Sequence, residues 1–195
     1  MATTFTVYDL DAHKLCQEYS LDNLVKLWDG REALSLLEIF DLPIPDHDRI
    51  GVSFLKGMLE REKQDALIET ILTRHIQGIT SEDIETLAWK TQWLNGTDRT
   101  QETAEYVAWQ TETRDPKVSL IAKAAATAKE RQVLIAKAAA TAKERQVGKD
   151  PDAPNPNTRE YRACAMLAQA SGNEEAEWTL QVQEARNIIN STKER

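Results

Sequence analysis

The chain has 195 residues, of which 41% are hydrophobic and 29% charged, and its formal net charge is −8. This length and composition predict one domain or two small ones and exclude collagen-like, low-complexity and disulfide-rich folds. No run approaches the roughly 20 apolar residues that cross a bilayer, and the first ten residues lack the basic and apolar parts of a signal peptide. We therefore expect a cytoplasmic protein that does not enter membranes.

The excess negative charge lies in the first half of the chain. Residues 1–100 carry the whole net charge of −8, whereas residues 101–195 hold equal numbers of acidic and basic residues. A negative field repels nucleic acid and anionic membranes and attracts a basic partner, although the same charge also serves solubility. Cys16 and Cys164 match neither a zinc nor a redox spacing, which favours a reducing compartment, and Cys164 is expected to be buried.

The first part of the chain reads as one short strand followed by helices. Alternation over Thr3–Tyr8 allows an edge strand, and every later stretch repeats its apolar residues at the helical spacing. We expect Ser20 and Asp46 to cap helices, Pro43 and Pro45 to interrupt them, and Gly78 to end one with a positive φ. The predicted helices are those over 21–28 and 33–40, one through Met58, one ending near Gln77, and one over Glu82–Leu94.

Helical signals continue to the C-terminus. Asp98 or Thr100 begins a helix through Glu112, and Asp115 with Pro116 is a strong start signal for a helix that no Gly or Pro interrupts before Gly148. Residues 149–157 form a polar, proline-rich linker. Two last helices, Thr158–Ser171 and Asn173–Asn190, are divided at Gly172. The prediction is an all-α bundle of about eight helices with one long Ala-rich helix, organised as a domain over 1–148, the linker, and a C-terminal helical pair over 158–195.

The long helix contains an identical internal repeat. Leu120–Val133 and Leu134–Val147 have the same fourteen residues. Fourteen residues turn a helix through about 1400°, only about 40° short of four turns, so the duplication lengthens the helix and keeps each face nearly in place. Its thin apolar seam is expected at Ile121, Ala124, Ala128, Ile135, Ala138 and Ala142. A basic spacer helix and a harmless duplication are both open interpretations, and the latter is favoured.

Histidine and carboxylate residues allow one metal hypothesis. His13, followed by His47 and Asp48, is similar to the ligand pattern of the all-α HD phosphohydrolases, with Asp65 or Asp83 as a later ligand. Asp46 and Asp48 are explained equally by helix capping and the helix dipole. Asp9 and Asp11 with His13 form no closed site before Glu18, and His75 on an apolar face is typical of a core histidine. We predict no cofactor and no catalytic residue, because phosphate loops and nucleophile motifs are absent.

Two aromatic pairs are spaced to lie on single helical faces. Trp89 and Trp93 are four residues apart, and Tyr106 and Trp109 are three apart. Buried core indoles and an exposed interface are both consistent with this spacing. The predicted partner-binding set combines acidic residues with exposed parts of one aromatic face; it consists of Asp41, Asp46, Asp48, Glu60, Glu62, Trp89 and Trp93.

The run Leu21–Arg49, with the later Lys90–Gly96 and the duplicated tract, resembles uncharacterised Ala-rich helical proteins of bacteria and phages, some of which carry the label of immunity protein. The resemblance covers about residues 20–147 and contains no catalytic signature. It implies a helical fold and an immunity-type role.

The leading functional hypothesis is a non-enzymatic protein–protein interaction protein, of the immunity type, that binds a basic partner through an acidic face. The alternatives are an HD-like metal-dependent phosphohydrolase and a structural or assembly adaptor with a projecting helix.

Overall fold

The computed structural model describes residues 3–13, 19–55, 57–142 and 159–191, with side chains described as far as residue 129 in the third range. Helices dominate these ranges, which confirms the all-α prediction. The ten helices are α1 (Val7–Asp11), α2 (Leu21–Trp28), α3 (Leu36–Phe40), α4 (Asp46–Ser53), α5 (Arg61–Gln77), α6 (Ile84–Asn95), α7 (Gln101–Thr111), α8 (Pro116–Ala142), α9 (Arg159–Ser171) and α10 (Glu174–Asn190). Ten described helices exceed the eight expected because short helices are present near the N-terminus.

The N-terminal elements differ most from the sequence expectation. Strand β1 (Thr4–Phe5) pairs antiparallel with β2 (Leu34–Ser35), so the second strand lies where a helix was predicted to begin. Ser35 and Glu38 form a capping box that delays the helix to residue 36. A second capping box, between Thr6 and Asp9, ends the first strand early and starts α1. Local side-chain caps therefore decided both boundaries.

Several helix limits follow the predicted signals, with three corrections. The helix predicted to run through Met58 ends at Ser53. Asp83 and Thr100 accept bonds from backbone N–H groups at the starts of α6 and α7, and Asp115 accepts one from Val118. Asp46 is the first residue of α4 rather than its cap, which is Pro45. Gly78 does end α5, but its φ is −73°, so no left-handed conformation is needed there.

Residues 120–129, the part of the first repeat copy whose side chains the structure describes, pack into the protein and do not project into solvent. Ile121 and Ala124 are fully buried and Ala128 nearly so, as the predicted seam requires. Ala122 and Ala125 are also fully buried, because α8 packs against α7 and also against α9. Alanine allows helices to approach closely on more than one side. The structure does not describe the side chains at the predicted seam positions 135, 138 and 142. It also does not describe residues 143–147, which end the second copy of the repeat.

The C-terminal helices contribute to the same hydrophobic core as the preceding ones. Helix α9 packs on α8 and α5, and α10 packs on α4 and α5. Cys164 is fully buried there, as expected, and burial raises the pKa of its thiol well above the usual value, with nearby carboxylates acting in the same direction. Cys16 and the predicted linker over 149–157 lie outside the described residues. Within the described ranges, no helix is both long and apolar enough to cross a bilayer.

Candidate functional site

Three of the predicted contact carboxylates are already bound within the molecule. Asp41 pairs with Arg186 at 2.7 Å, although its side chain remains 67% exposed. Asp46 pairs with Arg49 and accepts a hydrogen bond from Thr179 Oγ1 at 2.7 Å. Asp46 therefore helps to hold α10 on α4, and little of its charge is free for a partner.

Asp48 accepts a hydrogen bond from the Tyr19 hydroxyl, and its other carboxylate oxygen lies 3.4 Å from His47 Nε2. Glu60 and Glu62, at the start of α5, are exposed; Glu60 lies 3.3 Å from the Lys63 ammonium group. These two remain available for binding. The predicted acidic set is therefore divided between internal bonds and open surface.

Trp89 and Trp93 belong to the core. Their relative exposures are 3% and 0%, and their ring centroids lie 5.7 Å apart in a tilted pair. The Lys129 ammonium group lies 5.5 Å from the centre of the Trp93 ring and covers it further. Burial leaves no indole surface for a partner, so these two residues are removed from the predicted contact set.

The histidines do not assemble a metal site in the described part of the chain. No group of three or more His, Cys, Asp or Glu residues among the described ones is arranged to hold a metal ion. His47 contacts Trp178, with ring centroids 6.1 Å apart, as well as Asp48. The two later carboxylates proposed as ligands are engaged elsewhere, since Asp65 pairs with Arg61 and Asp83 caps α6.

The residues near the N-terminus that were considered as metal ligands do not form a common site in the described part of the chain. Asp9 bonds Thr6 in its capping box, Asp11 ends α1 on the surface, and Glu18 lies outside the described residues. Burial lowers the pKa of His13, and the nearby charge of Asp9 only partly opposes this. Among the described residues, no cluster of ligands that could hold a metal ion forms around His13.

His75 belongs to a buried ionic network that the sequence did not reveal. Its Nε2 atom lies 2.9 Å from Glu177 Oε1 on α10, and Arg74 binds the same carboxylate through two nitrogens. Burial favours a raised pKa for Glu177, but hydrogen bonds from Arg74, His75 and Gln181 outweigh it and lower the pKa to about 2. Arg74 also binds Glu184 at 2.9 Å. The network fastens α10 to α5, so we assign it a structural role.

An exposed aromatic pair on α7 is the surface feature most suited to binding. Trp109 is 72% exposed and Tyr106 50% exposed, and their ring centroids lie 6.4 Å apart. Burial of such rings dominates the energy of many protein interfaces. We call this surface the α7 face; it consists of Glu102, Glu105, Tyr106, Trp109 and Glu112.

Carboxylates surround the aromatic pair because of helical spacing. Glu102 and Glu105 precede Trp109 by seven and four residues, and Glu112 follows it by three, so all three glutamates lie on the side of α7 that carries the rings. Glu112 bonds Lys123 at 2.7 Å, and this bond lowers the pKa of its carboxyl group. Among the described residues, no Lys or Arg lies within ion-pair distance of Glu102 or Glu105.

The neighbouring helix extends the apolar surface. Ile84 is 81% exposed and Leu87 39% exposed on α6, and the Tyr106 hydroxyl lies 3.5 Å from a carboxylate oxygen of Glu85 on that helix. On the other side, Trp109 borders a depression of about 350 Å³ that reaches Met166 on α9. The α7 face is thus the centre of a wider apolar surface with acidic residues around it.

A local pattern indicated exposure for Trp109 but did not distinguish the two aromatic pairs. The residues at i−4 and i+3 from Trp109 are Glu105 and Glu112, which mark a solvated helix side. The buried Trp89 also has a glutamate, Glu85, four residues before it, so the same pattern does not place the Trp89–Trp93 pair inside.

Comparison of this chain with protein-family models, with curated proteins and with solved structures finds no match.

Proposed function

We propose that this chain is a non-enzymatic cytoplasmic protein that binds a basic protein partner, and that the α7 face is its principal contact surface. The observation that carries the proposal is Trp109, a large apolar side chain left 72% exposed beside three glutamates, of which only Glu112 pairs with a cation, Lys123, among the described residues. Together with Tyr106 it forms an exposed apolar surface within a polar rim, which is typical of interaction sites.

Charge selects the class of partner. Residues 82–114, which include α6 and α7, contain seven acidic and three basic residues. Lys90 binds backbone oxygens of Gln77 and Ile79, and Arg99 binds Glu69, whereas Arg114 is 63% exposed and lies 3.9 Å from Asp83. Lys123 of α8 adds one more basic group, which pairs with Glu112. Acidic residues still outnumber basic ones on this surface, which favours a basic protein and disfavours nucleic acid.

The immunity-type role belongs to this proposal, with a toxin as the basic partner. It rests on the sequence resemblance over residues 20–147 and on the acidic surface. Glu60 and Glu62, at the start of α5, remain a second proposed contact surface, distinct from the α7 face, whereas Asp41, although exposed, is bonded to Arg186.

Affinity capture from the source cells tests the proposal when variants of the two surfaces are compared. The first variant is Trp109→Ala, and its matched control is Tyr8→Ala, an aromatic residue 68% exposed on α1. Truncation of a central interface aromatic costs about 2 kcal/mol, so binding to the captured protein should weaken at least about tenfold with Trp109→Ala only.

Charge reversal separates the two acidic surfaces. Glu102→Lys with Glu105→Lys should weaken binding strongly, and the captured protein should be basic and should dissociate as salt rises. Glu60→Lys with Glu62→Lys is the matched pair on the second surface. Loss of binding with this pair alone would move the contact to α5, and unchanged binding in all variants would reject an acidic interface.

A further inference from the structure

A largely apolar cavity of about 250 Å³ lies between the N-terminal helices and α4. Aliphatic side chains form most of its wall, including Leu24, Ile39 and Leu55, which are almost fully buried. The volume exceeds the roughly 150 Å³ of an engineered cavity that binds benzene and approaches the lower range of small-molecule sites. The space is therefore sufficient for a small organic molecule.

The rest of the wall is aromatic and carries one carboxylate. Tyr19, Trp28 and Tyr161 line the cavity together with Asp48. Tyr19, Tyr161 and Asp48 are partly exposed while the aliphatic residues are mostly buried, so the polar side of the cavity is the side that meets solvent. The wall thus changes from apolar at depth to aromatic and negative toward solvent.

Trp28 is 99% buried in this wall, and its indole N–H has no hydrogen-bond partner in the described structure, as is also true of Trp89 and Trp93 in the core. An N–H donor is satisfied by an acceptor and not by a cation, so this group does not bear on the charge of the ligand. Burial, followed by the negative charge of Asp48, raises the pKa of Tyr161. The charge that a ligand would meet in this cavity is therefore that of Asp48.

We propose that this cavity binds a small organic cation, an alkylammonium group with an apolar tail. The tail lies among the aliphatic residues, and the ammonium group lies between the aromatic rings beside Asp48. Aromatic faces attract quaternary ammonium groups through their negative π-surface, and the carboxylate supplies the opposite charge. The Tyr19 hydroxyl donates to Asp48 Oδ2 and holds the carboxylate in place at the wall.

The charge balance around the cavity supports a cation over an anion. Arg49, on the same helix as Asp48, is committed to Asp46 and to the backbone oxygen of Leu42. His47 lies beside Asp48 and contacts Trp178, which stacks in turn on Tyr161 with ring centroids 6.0 Å apart. These stacked rings fix the position of the Tyr161 wall.

Isothermal titration of the full chain with three probes of equal tail length tests this assignment. The probes are hexyltrimethylammonium, 1-hexanol and hexanoate. We expect the cation to bind at least tenfold more tightly than the neutral alcohol, and hexanoate to bind more weakly than both. Equal affinities for the cation and the alcohol, or no binding of the cation at millimolar concentration, would overturn the proposal without any variant.

A matched pair of variants locates the site. Asp48→Asn keeps the shape and the acceptor for Tyr19 but removes the charge, so it should lower the affinity for the cation at least tenfold and leave hexanol binding unchanged. Glu62→Gln removes one exposed charge on α5 and should change neither. Retention of cation affinity in Asp48→Asn would reject Asp48 as the charged group. Trp109→Ala should not affect these probes, so this test is independent of the α7 face.

Discussion

Replacement of Arg74 by alanine tests how α10 is held on the rest of the protein. The guanidinium group binds Glu177 at 2.7 and 2.5 Å and Glu184 at 2.9 Å. Without it, the carboxylate of Glu177, only 4% exposed, keeps just His75 at 2.9 Å and Gln181 at 3.0 Å. A buried carboxylate that loses its main counter-charge destabilises the folded state strongly.

The magnitude follows from burial and geometry. Removal of one partner of a buried ion pair costs about 3–5 kcal/mol, and the Arg74 side chain is 33% exposed, so we expect about 3 kcal/mol. With a urea dependence of about 2 kcal/mol per molar, the unfolding midpoint should fall by about 1.5 M at neutral pH. Circular dichroism at 222 nm follows the transition, because the fold is helical.

Arg186→Ala is the matched control. Arg186 lies on α10, where it pairs with Asp41, which is 67% exposed, and its guanidinium group lies 5.6 Å from the centre of the Phe40 ring. An exposed ion pair and one cation–π contact together contribute about 1–2 kcal/mol, so its loss should cost less than that of Arg74. A cost for Arg74→Ala no larger than that for Arg186→Ala, with an unchanged denaturant slope, would refute the view that this network secures α10.

Two further predictions concern the packing of α10 and of α8. The folded pKa of Glu177 is about 2, below its usual value of 4.5, so the carboxylate stabilises the fold above pH 4.5 and this effect is lost as the pH falls toward 2. In urea titrations at pH 5 and pH 3, the free energy of unfolding of the parent chain should fall by on the order of 1 kcal/mol more than that of Glu177→Gln. Equal losses in the two proteins would contradict the assigned bonds. Ala125→Leu should overpack the fully buried side of α8 and destabilise the fold by about 1–3 kcal/mol. The control Lys117→Leu, on the exposed side of that helix, should change stability by less than about 0.5 kcal/mol. Thermal unfolding measures both variants, and an unchanged stability of Ala125→Leu would contradict close packing at this position.

Helix positions were largely predictable because their signals are local. Asp83, Thr100 and Asp115 bond backbone N–H groups within three residues, and Gly96 and Gly172 adopt the positive φ that ends a helix. Such contacts need only the neighbouring chain. The same locality explains the errors at residues 33–40, where a capping box and a strand partner replaced the expected first turn.

The binding surface was less predictable because burial depends on elements distant in sequence. Trp93 is covered by Lys129, which lies 36 residues later, and Asp46 is bonded by Thr179, which lies 133 residues later. No local pattern states which helix will cover a given aromatic or carboxylate. Two predicted contact residues therefore became core, and the exposed pair was found on α7.

Periodicity, capping and charge are local properties, so they were enough to predict a helical protein with a negative first half and a long alanine-rich helix. Tertiary packing decided which side chains remain accessible: it buried Trp89 and Trp93, exposed Trp109, and brought Tyr19, Trp28, Asp48 and Tyr161 around one cavity. The physical reason is that burial and cavity walls are properties of several helices together, and each helix carries only part of the surface that defines them.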